Sequence, residues 1–347
     1  VNNERYYSLD YFRGLMALSI MIYHYLSWQG IELDNSDLIG KLGVYAVAVF
    51  YILSGISLGV VYLRQNSFEI KRFYIKRLLR IWPLYFFAVL VTLFYKLAQS
   101  VISGDQFNLD TVEVFLNLTL LFGFFSPDSY VPIGGWSIGN EMVFYLLFPL
   151  VVLLIQNRLY KILWFLYGLT VIIFLYYALF LIEHTGDIAE TWSLYVHPAN
   201  HFFLFFSGVL IGHYIRPATG GSLRIYWLIL FIFFFVFTLY PVDNGRSELL
   251  AGWGRVFLTS LVVLFLLIYY YINPVLSGRT HRFLSWLGDH CYSIYILHPL
   301  VYFPIKFLFG DIFSGLLVFF VALLSTFLVC FFSFKYIEKP FLKLGFR

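Results

Sequence analysis

The chain alternates between long, continuously apolar runs and short polar breaks. Ten runs approach the roughly 20 residues that a membrane-spanning helix requires: 14–28, 42–63, 81–101, 137–156, 161–182, 201–215, 225–241, 252–272, 291–309 and 313–334. None shows the two-residue alternation of a membrane β-barrel. The pattern predicts an all-α, polytopic membrane bundle of about ten transmembrane helices, forming a single domain over residues 1–347. The first and sixth runs are short, and flanking aromatics extend them. The run after Arg13 lacks a small-x-small cleavage site and is followed by further spans, so it reads as a retained first helix. The longest polar stretch, about 102–136, reads as a loop marked by Gly104-Asp105, Ser126-Pro127-Asp128 and Gly134-Gly135.

Composition supports the same class. Of 347 residues, 61% are hydrophobic and 12% charged, where soluble domains carry roughly 25% charge. A soluble enzyme, a disordered chain and a disulfide-stapled domain are excluded. The net charge of +4 is too small to point to nucleic acid. Cys291 and Cys330 can form neither a disulfide framework nor a zinc site, and no metal is expected. Basic residues set the orientation. With the N-terminus inside and ten alternating spans, only Lys41, Lys96, Arg246, Arg255 and Lys306 of the 23 lysines and arginines fall outside or within the membrane. Both termini are therefore expected in the cytoplasm.

Ionisable residues inside such runs are the candidate chemistry. Ten residues separate Arg13 from His24, and eleven steps of about 100° place them within ~20° of one helix face, ~16 Å apart along the axis. An ionisable group buried in a span is functional by default, and a neutral imidazole can take a proton from a hydroxyl near pH 7. The bland alternative is a histidine hydrogen-bonded between helices. The second inside loop, Lys71 to Pro83, contains Arg72, Lys76, Arg77 and Arg80. Arg77 and Arg80 are three apart and on a helix would grip one polyanion together; topology and lipid head groups are the competing explanation. Glu141 is followed by no charge until Arg158, which places it at or inside the outer boundary, where it would pair with His24 or cap a helix. His298 precedes Pro299 and reads first as a packing residue; His201, His213 and Arg255 support no assignment alone. Asn117-Leu118-Thr119 fits a glycosylation sequon. The chain contains no P-loop, dinucleotide fingerprint or nucleophile elbow.

Six blocks together resemble the membrane acyltransferase-3 family. They are Leu9-Asp10-Tyr11-Phe12-Arg13-Gly14 through His24, Phe50 to Gly55, Arg77 to Tyr85, Trp136-Ser137-Ile138-Gly139-Asn140-Glu141 with Phe144-Tyr145, Tyr292 to Pro299, and Ile337-Glu338-Lys339-Pro340-Phe341. They occur in the family's order, with one departure: Met142 stands where an aromatic often follows the glutamate. The resemblance implies a multi-pass enzyme of the cell inner (cytoplasmic) membrane. It would move an acyl group, usually acetyl from acetyl-CoA, onto a hydroxyl of a surface or exported carbohydrate or glycolipid. It also implies that Arg13 and His24 form the family's Arg-x10-His motif, and Arg77 and Arg80 its Arg-x-x-Arg motif.

On that basis Arg77 and Arg80, with Arg72 and Lys76, are expected to hold the donor's phosphates, and His24 to act as general base. Arg13 would serve the donor or an acidic partner. Glu141 would approach from the outer side to orient His24 or bind sugar. Trp136, Asn140, Tyr292 and His298 are acceptor-binding candidates; lipid anchoring explains the aromatics equally well. Direct transfer and a transient acyl-histidine both fit these residues. A longer dicarboxylic acyl such as succinyl would need a further cation that the sequence does not single out. The runner-up function is a lipid-sugar flippase or proton-coupled transporter; a relative that binds acyl-CoA or sterol without catalysis is the third.

Overall fold

A backbone in hydrocarbon has to satisfy its amide groups within its own segment, and the apolar runs do so as helices; no strand occurs among the described residues. The computed structural model describes residues 5–65, 68–104, 106, 108–182, 188–220, 222–242, 246–310 and 312–345. Asp105 of the expected loop and the side chain of Arg246 lie outside them. In chain order the helices begin with α1 (Tyr7–Trp28), α2 (Leu38–Tyr62), α3 (Ile70–Ser103), α4 (Thr111–Leu118), α5 (Phe122–Phe125) and α6 (Gly135–Gln156). Next come α7 (Tyr160–Tyr176), α8 (Ile188–Tyr195), α9 (Pro198–Tyr214), α10 (Arg224–Leu239) and α11 (Arg246–Leu250). The last are α12 (Gly252–Ile272), α13 (Gly278–Asp289), α14 (Cys291–Phe309), α15 (Gly315–Ser333) and α16 (Lys339–Leu344).

Among the described residues, eight helical passages are long and apolar enough to cross a membrane. The other two expected spans are helical but fall short for different reasons. α1 has 22 residues, yet Asp10, Arg13, His24 and its tyrosines make it less apolar. α10 has only 16 residues, roughly 24 Å against a hydrocarbon core of about 30 Å.

Two segments expected as loops are helical. The basic run Lys71–Arg80 forms the first turns of α3, which continues through Pro83 to Ser103. Lysine, arginine, leucine and isoleucine are all good or adequate helix formers, and no turn residue separates them from the apolar run. Within the stretch 102–136, Asp110 caps α4 by accepting from the Val112 and Glu113 amides at 2.8 and 3.3 Å. Asn117 is fully buried. Its Nδ2 donates to the Glu113 and Ser129 carbonyls, and its Oδ1 accepts from Tyr85 Oη and the Val131 amide, all at 2.8–2.9 Å. An amide with all four bonds made is a structural knot, so the sequon reading is withdrawn.

The helices fall into two compact units, Val1–Phe68 with Leu150–Cys291 and Glu69–Pro149 with Tyr292–Arg347. In the first, α2 and α9 meet through glycines. Gly55 and Gly59 on α2, and Gly208 and Gly212 on α9, are four apart and so share a helix face. A Cβ at Gly55 would strike the Phe205 carbonyl, at Gly208 the Ile52 carbonyl, and at Gly212 the Ile56 carbonyl. Small residues at this spacing let helix backbones touch where apolar area alone gives no preference in lipid. α1 crosses α13 the same way, at Gly14 and Gly288.

Helix C-termini in this unit are closed by cations. Arg64 donates to the Gly212 and Ile215 carbonyls at the end of α9. Lys41, fully buried, donates to the Thr238 and Tyr240 carbonyls at the end of α10, both at 2.7 Å. Each positive charge meets the negative end of a helix dipole. In the second unit Tyr85 stacks on Phe122 at 5.7 Å, and Gly123 abuts Gly139 of α6.

Gly208→Leu should drive α2 and α9 apart and destabilise the protein by about 3 kcal/mol. Thermal unfolding in detergent would show this as a lowered midpoint; an unchanged midpoint would mean the two backbones are not in contact.

Candidate functional site

In the first unit α1 carries both Arg13 and His24 on an unbroken helix. Arg13 is engaged through both terminal nitrogens. Its Nη1 lies 3.3 Å from Asp10 Oδ1, and its Nη2 donates to the Leu53 carbonyl at 3.0 Å and to Ser57 Oγ at 2.7 Å. Asp10 also accepts from Arg5 Nε at 2.7 Å, and Arg5 Nη2 reaches Asp289 Oδ1 at 2.5 Å. Cations and carboxylates thus alternate beside the Gly14–Gly288 crossing and tie α1 to α2 and α13. Arg13 fastens the helix that presents His24.

His24 is half-buried. Its ring stacks on Trp28, one turn further along, with centroids 4.8 Å apart and planes within 7°, and it also meets Tyr23 at 5.5 Å. Stacking engages the faces of the imidazole and fixes its plane, while both nitrogens sit on the edge.

The second unit brings Arg77 and Glu141 together through a residue absent from the expected site. The Tyr145 hydroxyl donates to Glu141 Oε1, and the Arg77 guanidinium lies 5.8 Å from the Tyr145 ring centroid. Phe73 packs edge-on against the same ring at 6.2 Å. Arg77 Nε is buried and has no hydrogen-bond partner. Arg80 and Arg72 are exposed and Lys76 is half-buried. Arg80 acts electrostatically on Tyr145, Tyr292 and Glu338.

Glu141, expected at or inside the outer boundary, is thus grouped with the basic run. It lies about 9 Å beyond the start of α6, on the turn before Tyr145. The Tyr145 side chain, bonded to Glu141 and lying under the Arg77 guanidinium, joins the two charges.

The acceptor-binding candidates are buried or hydrogen-bonded within their unit. Trp136 is buried and Asn140 fully so. Tyr292 Oη donates to the Ile81 carbonyl at 2.8 Å and so links α14 to α3. His298 is 1% exposed, with Nδ1 3.0 Å from the Ile294 carbonyl one turn back. A carbonyl accepts only from N–H, so Nδ1 carries the proton. Two further polar residues join this unit: Ser293 Oγ donates to the buried carboxyl of Glu338, at the end of a π-helical turn over Phe334–Glu338. Such turns recur at functional sites, but their extra residue per turn leaves no periodicity to read. Tyr145, Ser293 and Glu338 all stood within the motif blocks; what the sequence lacked was which of them touch.

A family model described as an acyltransferase domain matches residues 6–335. An uncharacterized protein of Haemophilus influenzae is 28% identical over 123 residues, covering 32% of this chain and 49% of that protein. The chain thus spans about half the length of this curated relative. No solved structure matches.

Removing the Tyr145 hydroxyl leaves the Glu141 carboxylate without that donor. Tyr145→Phe should lower stability by about 1–3 kcal/mol. A double-mutant cycle with Glu141→Gln should return a coupling of the same order, and purely additive effects would contradict the bond.

Proposed function

The chain belongs to the acyltransferase-3 family, and from that premise we propose that it is a membrane O-acyltransferase. It takes an acyl group, acetyl in the first instance, from cytoplasmic acyl-CoA and places it on a hydroxyl of a surface or exported carbohydrate or glycolipid. The observation that carries this reading is the cationic first third of α3. It offers exposed Arg72 and Arg80, half-buried Lys76, and Arg77 with a buried N–H that has no partner. Donors of this number and reach fit a multiply charged nucleotide.

In this reading Arg72, Lys76, Arg77 and Arg80 bind the donor's phosphates, and Tyr145 with Glu141 aims the Arg77 guanidinium. His24 takes the proton from the acceptor hydroxyl as that oxygen attacks the thioester carbonyl. The carbon–sulfur bond breaks, and the proton passes from His24 to the departing thiolate. Arg13 is a positioning residue, holding α1 through Asp10, Leu53 and Ser57. The orientation assigned to the chain has both termini in the cytoplasm, in the inner membrane, with membrane lipids around the bundle.

Purified protein given labelled acetyl-CoA and carbohydrate extract should label the carbohydrate. His24→Ala should cut that rate by about 10²–10⁴-fold while leaving expression and unfolding midpoint unchanged. Wild-type turnover in the variant would remove His24 from the reaction. Vesicle uptake of substrate without acyl transfer would replace the enzyme with a carrier.

A further inference from the structure

Arg255 is a cation that no carboxylate among the described residues of the first unit pairs with. It lies in the first turn of α12 and is 3% exposed. Its Nη2 donates to Asn200 Oδ1 at 2.7 Å, and its guanidinium lies 5.0 Å from the Phe174 ring centroid and 5.3 Å from that of Tyr195. Its Nη1 is buried and has no hydrogen-bond partner, and among the described residues no carboxylate pairs with it.

The described surroundings hold little that answers the charge directly: the C-terminal carbonyl of α8, at Tyr195, is taken up by Asn200 and His201, and the Glu248 carboxylate lies against Gly254 and makes no ion pair with Arg255. Arg255 sits at the positive end of its own helix, and Asn200 lies in the first turn of α9, so two helix N-termini face the guanidinium. His201, next along α9, bonds through Nε2 to the Tyr195 carbonyl at 2.7 Å and lies within electrostatic reach of Arg255. That carbonyl also accepts from Asn200 Nδ2 at 2.8 Å. A guanidinium cannot shed its charge by losing a proton, and a buried unpaired ion costs several kcal/mol. Ring faces and one amide oxygen offset part of that cost. A monoanion on Nη1 would offset the rest, whereas a phosphate monoester would bring roughly twice the charge that one guanidinium balances.

We propose that the Arg255 cluster, with Asn200 and the rings of Phe174 and Tyr195, is a binding site for a carboxylate carried by a reactant. The proposal rests on the acyl-transfer reading for the identity of the reactant, though not for the existence of the site. Two reactants supply this chemistry: an acceptor containing an acidic sugar, or a donor whose acyl group ends in a second carboxylate. Nη1 is buried, so a carboxylate reaches it only with local displacement of the surrounding side chains.

The test uses full-length protein in detergent and reads binding without turnover, so failure of the acyl-transfer reading would leave its result intact. The probes are methyl glucuronide against methyl glucoside, and succinyl-CoA against acetyl-CoA, followed by calorimetry and thermal unfolding. One carboxylated probe should bind at least about tenfold more tightly than its neutral counterpart and raise the unfolding midpoint. The glucuronide pair responding identifies an acidic acceptor; the CoA pair responding identifies a dicarboxylic donor. Arg255→Gln should erase the difference while unfolding no earlier than wild type in the absence of probe, because it removes an unanswered buried charge. Arg255→Lys should keep a reduced preference. Equal binding within both pairs would overturn the proposal. So would an Arg255→Gln protein that keeps the preference.

Discussion

A charge inside a helix bundle surrounded by lipid needs a partner from the protein itself, because water is not there to solvate it. Four cations of this chain find that partner in several ways. Arg13 uses a carboxylate, a carbonyl and a hydroxyl; Arg64 and Lys41 use the carbonyl ends of α9 and α10. Arg77 rests on a tyrosine whose hydroxyl is held by Glu141. Each solution fixes a helix end or a helix crossing while it settles the charge, so architecture and candidate chemistry have the same origin. In the first unit the glycine seams of α2 with α9 and α1 with α13 bring backbones close enough for such short bonds to form.

Much of the fold was legible because hydrocarbon imposes length and apolarity directly on the sequence. The spans read as 252–272 and 291–309 coincide with α12 and α14, and the family match over 6–335 takes in five of the six motif blocks, Ile337–Phe341 lying beyond it. Legibility failed where charge was mistaken for a boundary. The basic residues before Pro83 were read as a loop, yet they are helical, since a cation at a membrane surface ends an apolar run without ending a helix. Lys41 and Arg255, two of the five cations expected outside or within the membrane, are buried. Asn117 matched a surface motif and proved to be a buried four-bonded hub.

The site was legible in its members and much less so in their contacts. Arg13, His24, Arg77, Arg80 and Glu141 stood out because ionisable residues are rare in such runs. That Glu141 belongs with Arg77, through Tyr145, depends on the direction and length of two side chains, which spacing along one helix cannot supply. The grouping moves Glu141 from the acceptor to the donor in the proposed reaction. It also gives Arg77 a fixed orientation instead of the freedom of a surface arginine.

The central claim is that the cations of α3 bind the nucleotide of the acyl donor. Equilibrium binding of a non-hydrolysable acetyl-CoA analogue to purified protein, wild type against the Arg77→Ala, Arg80→Ala double variant, tests it most directly. The account predicts affinity weakened by at least about a hundredfold, as loss of two charge-assisted contacts implies, and in wild type a steep fall in affinity with added salt. Equal affinity in the two proteins, with little response to salt, would contradict it.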